Sequence, residues 1–136
     1  SPDDMIDHDL VSYGNHGYSH YLLSSLSDAE QEKEIVQNEK FLDSLDSRRS
    51  KIFSIPFGNV SDVNDVTFGL IRESGFQGFL FSRGRLNFGD DRDAVSNIPC
   101  GERYMADQAY EGFQGKILKL AVKSVMHNFF SRNCSE

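Results

Sequence analysis

Short strand-like segments alternate along this chain with amphipathic helical ones, and that alternation limits the fold more than any other feature. Residues 9–13 are apolar-biased and closed by Gly14, which predicts a strand. Ser27, followed three residues later by Glu30, forms a capping box, with Asp28 reinforcing the first turn. Beyond it Ile35, Leu42 and Leu45 fall on one stripe, as an amphipathic helix needs. Residues 51–55 predict a second strand, ended by Pro56, which has no N–H for a ladder. A helix is expected over 62–74, with Val63, Val66, Leu70 and Ile71 on one face and Gly75 as its left-handed cap. Further strands are expected over 77–82 and 94–98. A last helix is expected over 106–125, carrying Tyr110, Phe113, Ile117 and Leu120 on its stripe. Strands alternating with helices predict an α/β fold with parallel strands. No repeat or linker divides the 136 residues, so one domain is expected.

Charge and apolar content then exclude several classes of function. A formal net charge of −7 argues against nucleic-acid or anionic-membrane partners, because Arg48, Arg49 and Lys51 are too short a basic run to offset it. No apolar run approaches the ~18 residues of a membrane span, and no signal-peptide segment is evident. Cys100 and Cys134 make neither a disulfide framework nor a CxxC pair, so both are expected to be ordinary packing or tail residues. Compartment stays open.

The densest chemistry lies in Gly14-Asn15-His16-Gly17-Tyr18-Ser19-His20, directly after the first expected strand. Ligand sites of parallel sheets gather at that end of the strands. Two imidazoles four residues apart can share a Zn²⁺-like ion, although such spacing also suits solvated loop histidines. Gly17-Tyr18-Ser19-His20-Tyr21 matches the nucleophile elbow G-x-S-x-G except at its last position, where Tyr21 would obstruct strand–helix packing. Phe53-Ser54-Ile55-Pro56-Phe57-Gly58 ends a strand in a sharp Pro-aromatic-Gly turn. Such a turn can aim a backbone N–H into a site as an oxyanion donor, or simply terminate the strand.

Taken in order, these segments resemble the polysaccharide deacetylase family, the NodB-homology carbohydrate esterases. Asn15-His16-Gly17-Tyr18-Ser19-His20 is similar to the family's H-[S/T]-x-x-H metal motif, with Gly17 at the usual Ser/Thr position. Glu34-Ile35 and Leu42 suit the helix that follows, and Ile55-Pro56-Phe57-Gly58 resembles the R-x-P-Y-G segment. Glu73-Ser74-Gly75-Phe76 and Asn97-Ile98-Pro99 are similar to later family segments, so the resemblance runs over most of residues 5–115. It implies a bacterial hydrolase that removes N-acetyl groups from an amino sugar of a polysaccharide or glycan precursor. Carried over by position, His16 and His20 would ligate a divalent metal, zinc in most members, and the backbone N–H of Phe57 would steady the oxyanion. Pro56 and Tyr18 would face substrate. The implied fold is a partial (β/α) barrel of the polysaccharide deacetylase type, with its N-terminal strands missing from this chain.

Departures from the pattern bear on activity. The family's Asp-Asp motif belongs well before the histidines, and Asp3-Asp4 lacks the preceding apolar strand, so it reads as a solvated terminus. Ser54 stands where many members have arginine, Asn97 stands where arginine is frequent, and no L-x-H segment follows. His127, after Met126, reads as a surface residue. The chain alone is therefore expected to be inactive. A homodimer, or a missing N-terminal segment, is expected to complete the barrel, since a half barrel exposes strand edges. A degenerate, non-catalytic relative that binds glycan or protein is the alternative reading.

Overall fold

The first helix starts where its capping signal places it. A computed structural model describes residues 4–85, 87, 92–93 and 96–103. In it α1 covers Asp28–Leu42, with Ser27 as N-cap. The Glu30 carboxylate accepts from both the Ser27 N–H at 2.9 Å and the Ser27 hydroxyl at 2.6 Å. Ile35 and Leu42 are buried as the stripe requires, whereas Leu45 is buried from a following 3-10 turn, Asp43–Arg48. The buried face of α1 also carries Gln31, Glu34 and Glu39, each of which has a polar partner. That pairing is the condition on which polar groups tolerate burial.

Among the described residues four strands form one sheet: β1 (Tyr13–Asn15), β2 (Arg49–Ser54), β3 (Gly78–Phe81) and β4 (Cys100–Glu102). Every pairing is parallel, and the spatial order is the chain order. Helix α2 (Asp65–Glu73) lies between β2 and β3 and packs against α1. Parallel crossovers are right-handed, so strands added in sequence put successive helices on the same face. The core agrees: Phe53, Ile55, Phe79 and Phe81 from the sheet meet Ile35, Phe68 and Ile71 from the two helices. The opposite face carries Gly14, Ser50, Ile52, Ser54 and Leu80 along a cavity. One-way winding of a parallel sheet is compatible with the deacetylase fold.

Several boundaries differ from the sequence expectation. The first strand is Tyr13–Asn15 rather than 9–13; Asp9 and Leu10 form a turn in which Leu10 is 89% exposed. The second begins at Arg49, which pairs with Glu39 and Asp43 and ties the strand to the end of α1. Helix α2 begins at Asp65 because Asn64 caps it, its side chain accepting the Thr67 N–H at 3.1 Å. Its core face holds Thr67, Phe68 and Ile71, so Val66 and Leu70 are only half-buried. Gly75, at φ +75°, ends α2 as expected; the Phe76 N–H reaches back to Ile71 O and the Gly75 N–H to Arg72 O.

The fourth described strand is Cys100–Glu102; of the expected 94–98, residues 94–95 lie outside the described residues and 96–98 are not strand. Residues 96–98 are a turn in which Asp93 accepts from the Ser96 N–H and hydroxyl. Cys100 is disulfide-bonded, which corrects its reading as an ordinary packing residue. The expected helix over 106–125, together with Asp3, His127 and Cys134, lies outside the described residues.

Candidate active site at the carboxyl ends of the strands

Because the sheet is parallel, the segments after β1, β2, β3 and β4 meet at one end. His16 follows β1, and its Nδ1 lies 2.7 Å from the Ser54 carbonyl at the end of β2. A carbonyl only accepts, so Nδ1 carries the proton and Nε2 keeps its lone pair. This fixed tautomer, set by a backbone carbonyl, is the arrangement found behind metal-ligating imidazoles. Burial pulls the His16 pKa below its ordinary value; the Ser54 carbonyl opposes this, and the charges of Arg103 and His20 add to it. The neutral, ligand-competent ring is therefore favoured.

His20 meets His16 edge to face, with ring centroids 4.8 Å apart, and meets Phe57 at the same separation. The two histidines and the Pro-Phe-Gly turn are thus brought together. His20 and Phe57 have φ of +59° and +60°, two of the three non-glycine residues with positive φ among those described. Such conformations cost energy and concentrate at functional sites. The Gly58 N–H donates to Pro56 O at 2.7 Å, closing a three-residue turn around Phe57. Phe57's own N–H meets no acceptor among the described residues, and the residue is 52% exposed. A free amide on a rigid turn beside two imidazoles is suited to an oxyanion.

Residues that sequence reasoning passed over hold the loop in place. Asn15 is fully buried, donating to Ile35 O and Glu39 while its own oxygen accepts from Gly17 N–H and Asn38. Glu34 accepts the Ser19 N–H at 2.6 Å, and its carbonyl accepts from the Tyr18 N–H. The histidine loop is thereby pinned along α1. Pro56, expected to face substrate, is instead buried; a Cβ on Gly17 (φ +77°) would come within 3.3 Å of its ring. Tyr18 is 61% exposed, beside the loop.

Arg103, directly after β4, was also missed. Its Nη1 donates to Ser54 Oγ at 2.5 Å and Ile55 O at 2.9 Å and lies 3.2 Å from His16 Nδ1. Burial lowers its pKa from the usual value, against the pull of neighbouring Glu102. A guanidinium thus stands at Ser54, supplied from another strand. Asn97 takes no part in this cluster: it is an exposed turn residue at φ +55°, its carbonyl accepting from Arg92.

The polysaccharide deacetylase family model matches residues 3–79, more than half of the chain, and spans both the histidine loop and the Pro56–Gly58 turn. This chain belongs to the polysaccharide deacetylase family. No curated protein and no solved structure matches it significantly. Arg103 lies beyond the matched region of this deacetylase-family chain. Among the described residues, no group of three His, Cys, Asp or Glu side chains gathers as a complete metal site would require. The donor set fits a divalent ion in part, through the two imidazoles.

Proposed function

We propose that this polysaccharide deacetylase domain serves metal-dependent hydrolysis of N-acetyl groups on an amino sugar, with His16 and His20 as metal ligands. The observation that carries the reading is His16: its Nδ1 proton is committed to the Ser54 carbonyl, which leaves the lone pair on Nε2, 3.5 Å from Arg103 Nη1, beside the His20 ring. A divalent ion held there, zinc by preference for imidazole, supplies Lewis acidity and brings the pKa of a bound water toward ~7. The chain's own residues do the rest of the positioning. Glu34, Asn15 and Asn38 hold the loop, and the Gly58–Pro56 turn presents the Phe57 N–H to the oxygen that gains charge as the amide is attacked. Tyr18 and Phe57 offer exposed rings on which a sugar can lie.

The described residues offer no third metal ligand and no carboxylate base at the pair. The chain by itself is therefore proposed to be inactive. A non-catalytic, glycan- or protein-binding relative is the second reading, and Ser54 and the incomplete donor set favour it. Elemental analysis after incubation with zinc separates the two. Close to one zinc per chain, lost in His16→Ala/His20→Ala, is the expected result; no zinc in either protein would overturn the metal reading in favour of the binding module.

A further inference from the structure

Among the described residues, Arg103 has no carboxylate hydrogen-bonded to its side chain. Its neighbour Glu102 is fully engaged elsewhere: one carboxylate oxygen binds Arg83 Nε at 2.6 Å, and the other accepts the N–H groups of Arg83 and Gly84. The Arg103 side chain donates only through Nη1, to the neutral acceptors Ser54 Oγ and Ile55 O. Nε and Nη2, the edge of the guanidinium that forks onto carboxylates, meet no acceptor among the described residues. A half-buried guanidinium that lacks a counter-charge is electrostatically incomplete, because its lost hydration is not replaced.

What Arg103 borders is a cavity of about 470 Å³ over the sheet face opposite the helices. Ser12, Ser50, Ser54 and Ser82 line it together with Ile52 and Leu80. Its size is that of a site for one small ring, and His16 is on its rim. Serine hydroxyls can donate to an anion, a single guanidinium matches a single negative charge, and the planar fork matches a carboxylate. A phosphate monoester would bring about two charges to one cation.

We propose that this cavity is a carboxylate-binding subsite, and that the glycan bound by the domain carries an acidic sugar beside the N-acetylated one. The inference rests on the glycan reading above and deepens it. Arg103 holds the carboxylate, the serines complete its hydrogen bonds, and the neutral amino sugar lies toward His16 and Phe57.

The test is calorimetric titration of the whole chain, with metal chelated to prevent turnover, against a hyaluronan hexasaccharide and against chitohexaose. Hydrogen bonds to a charged group contribute about 1.5–3 kcal/mol, so the acidic oligosaccharide is expected to bind at least about tenfold tighter. Arg103→Gln should abolish that preference, with circular dichroism verifying that the variant folds. Ser50→Asp, which places a like charge in the cavity without touching Arg103, should abolish it too. Equal affinities in the wild type, or a preference surviving both variants, would overturn the subsite alone. Binding of neither oligosaccharide would overturn the glycan reading and this inference with it.

Discussion

Gly58 shows how tightly single residues hold the site. At φ +86°, a Cβ there would meet Ser82 Cβ at 2.5 Å and Ser82 N at 2.6 Å, and the Gly58 carbonyl already accepts from that same N–H. Backbone cannot yield as a side-chain tip can. Gly58→Ala therefore combines left-handed strain with overpacking and should cost about 3 kcal/mol. Gly69, inside α2 with nothing within 4 Å of its added Cβ, is the contrast: Gly69→Ala should stabilise by about 0.5–1 kcal/mol. Urea denaturation of the two variants beside the wild type reads both effects, and a Gly58→Ala midpoint equal to wild type would refute the packing account. At this scale the sequence was partly legible. The histidines and the Pro56-Phe57-Gly58 turn announce themselves by local pattern. Arg103 does not, because it comes to Ser54 from a distant strand and nothing near it in sequence marks the contact. Glu34 reads as a helix residue and Asn15 as part of the histidine motif, and neither shows its anchoring role until the loop they hold is seen.

At the scale of elements, legibility follows how local the signal is. Capping chemistry acts over a few residues, and both the start of α1 and the end of α2 are where it puts them. The strand of Cys100–Glu102 has little intrinsic β character and exists because its backbone pairs with β3. Likewise β1, three residues at the sheet edge, carries too short a pattern to fix its own limits. Capping also makes α1 sensitive to acid. The hydroxyl and then the backbone N–H of Ser27 hold the Glu30 pKa below its ordinary value. The unfolded chain thus binds this proton more readily than the folded one, so the stabilisation is complete above the usual glutamate pKa and is lost as pH falls through the lowered folded value. Thermal melts followed by circular dichroism should place wild type above Glu30→Gln near neutrality, with the gap closing as pH drops below about 4. A gap independent of pH would contradict the role of the carboxylate.

The whole molecule presents a sheet with helices on one face only among the described residues, and with β1 and β4 at its edges. Unpaired edges recruit further strands, and three-residue edge strands limit that tendency without removing it. Serines and Gly14 share the open face with Ile52 and Leu80, so another face packed on it would bury polar groups along with apolar ones. Association through the edges, with a second copy extending the sheet, is consequently the mode proposed here, and it should be weak. Light scattering over a dilution series should give a mass that rises from monomer toward dimer with concentration. Tyr13→Lys, which puts a charge on the β1 edge, should shift that rise to higher concentration. A monomer mass constant across the series would refute edge pairing, and a dimer indifferent to Tyr13→Lys would place the contact on another surface. If zinc is held by His16 and His20, the histidine loop that follows β1 is stabilised with it, and added zinc should change the melting temperature without changing the dilution curve.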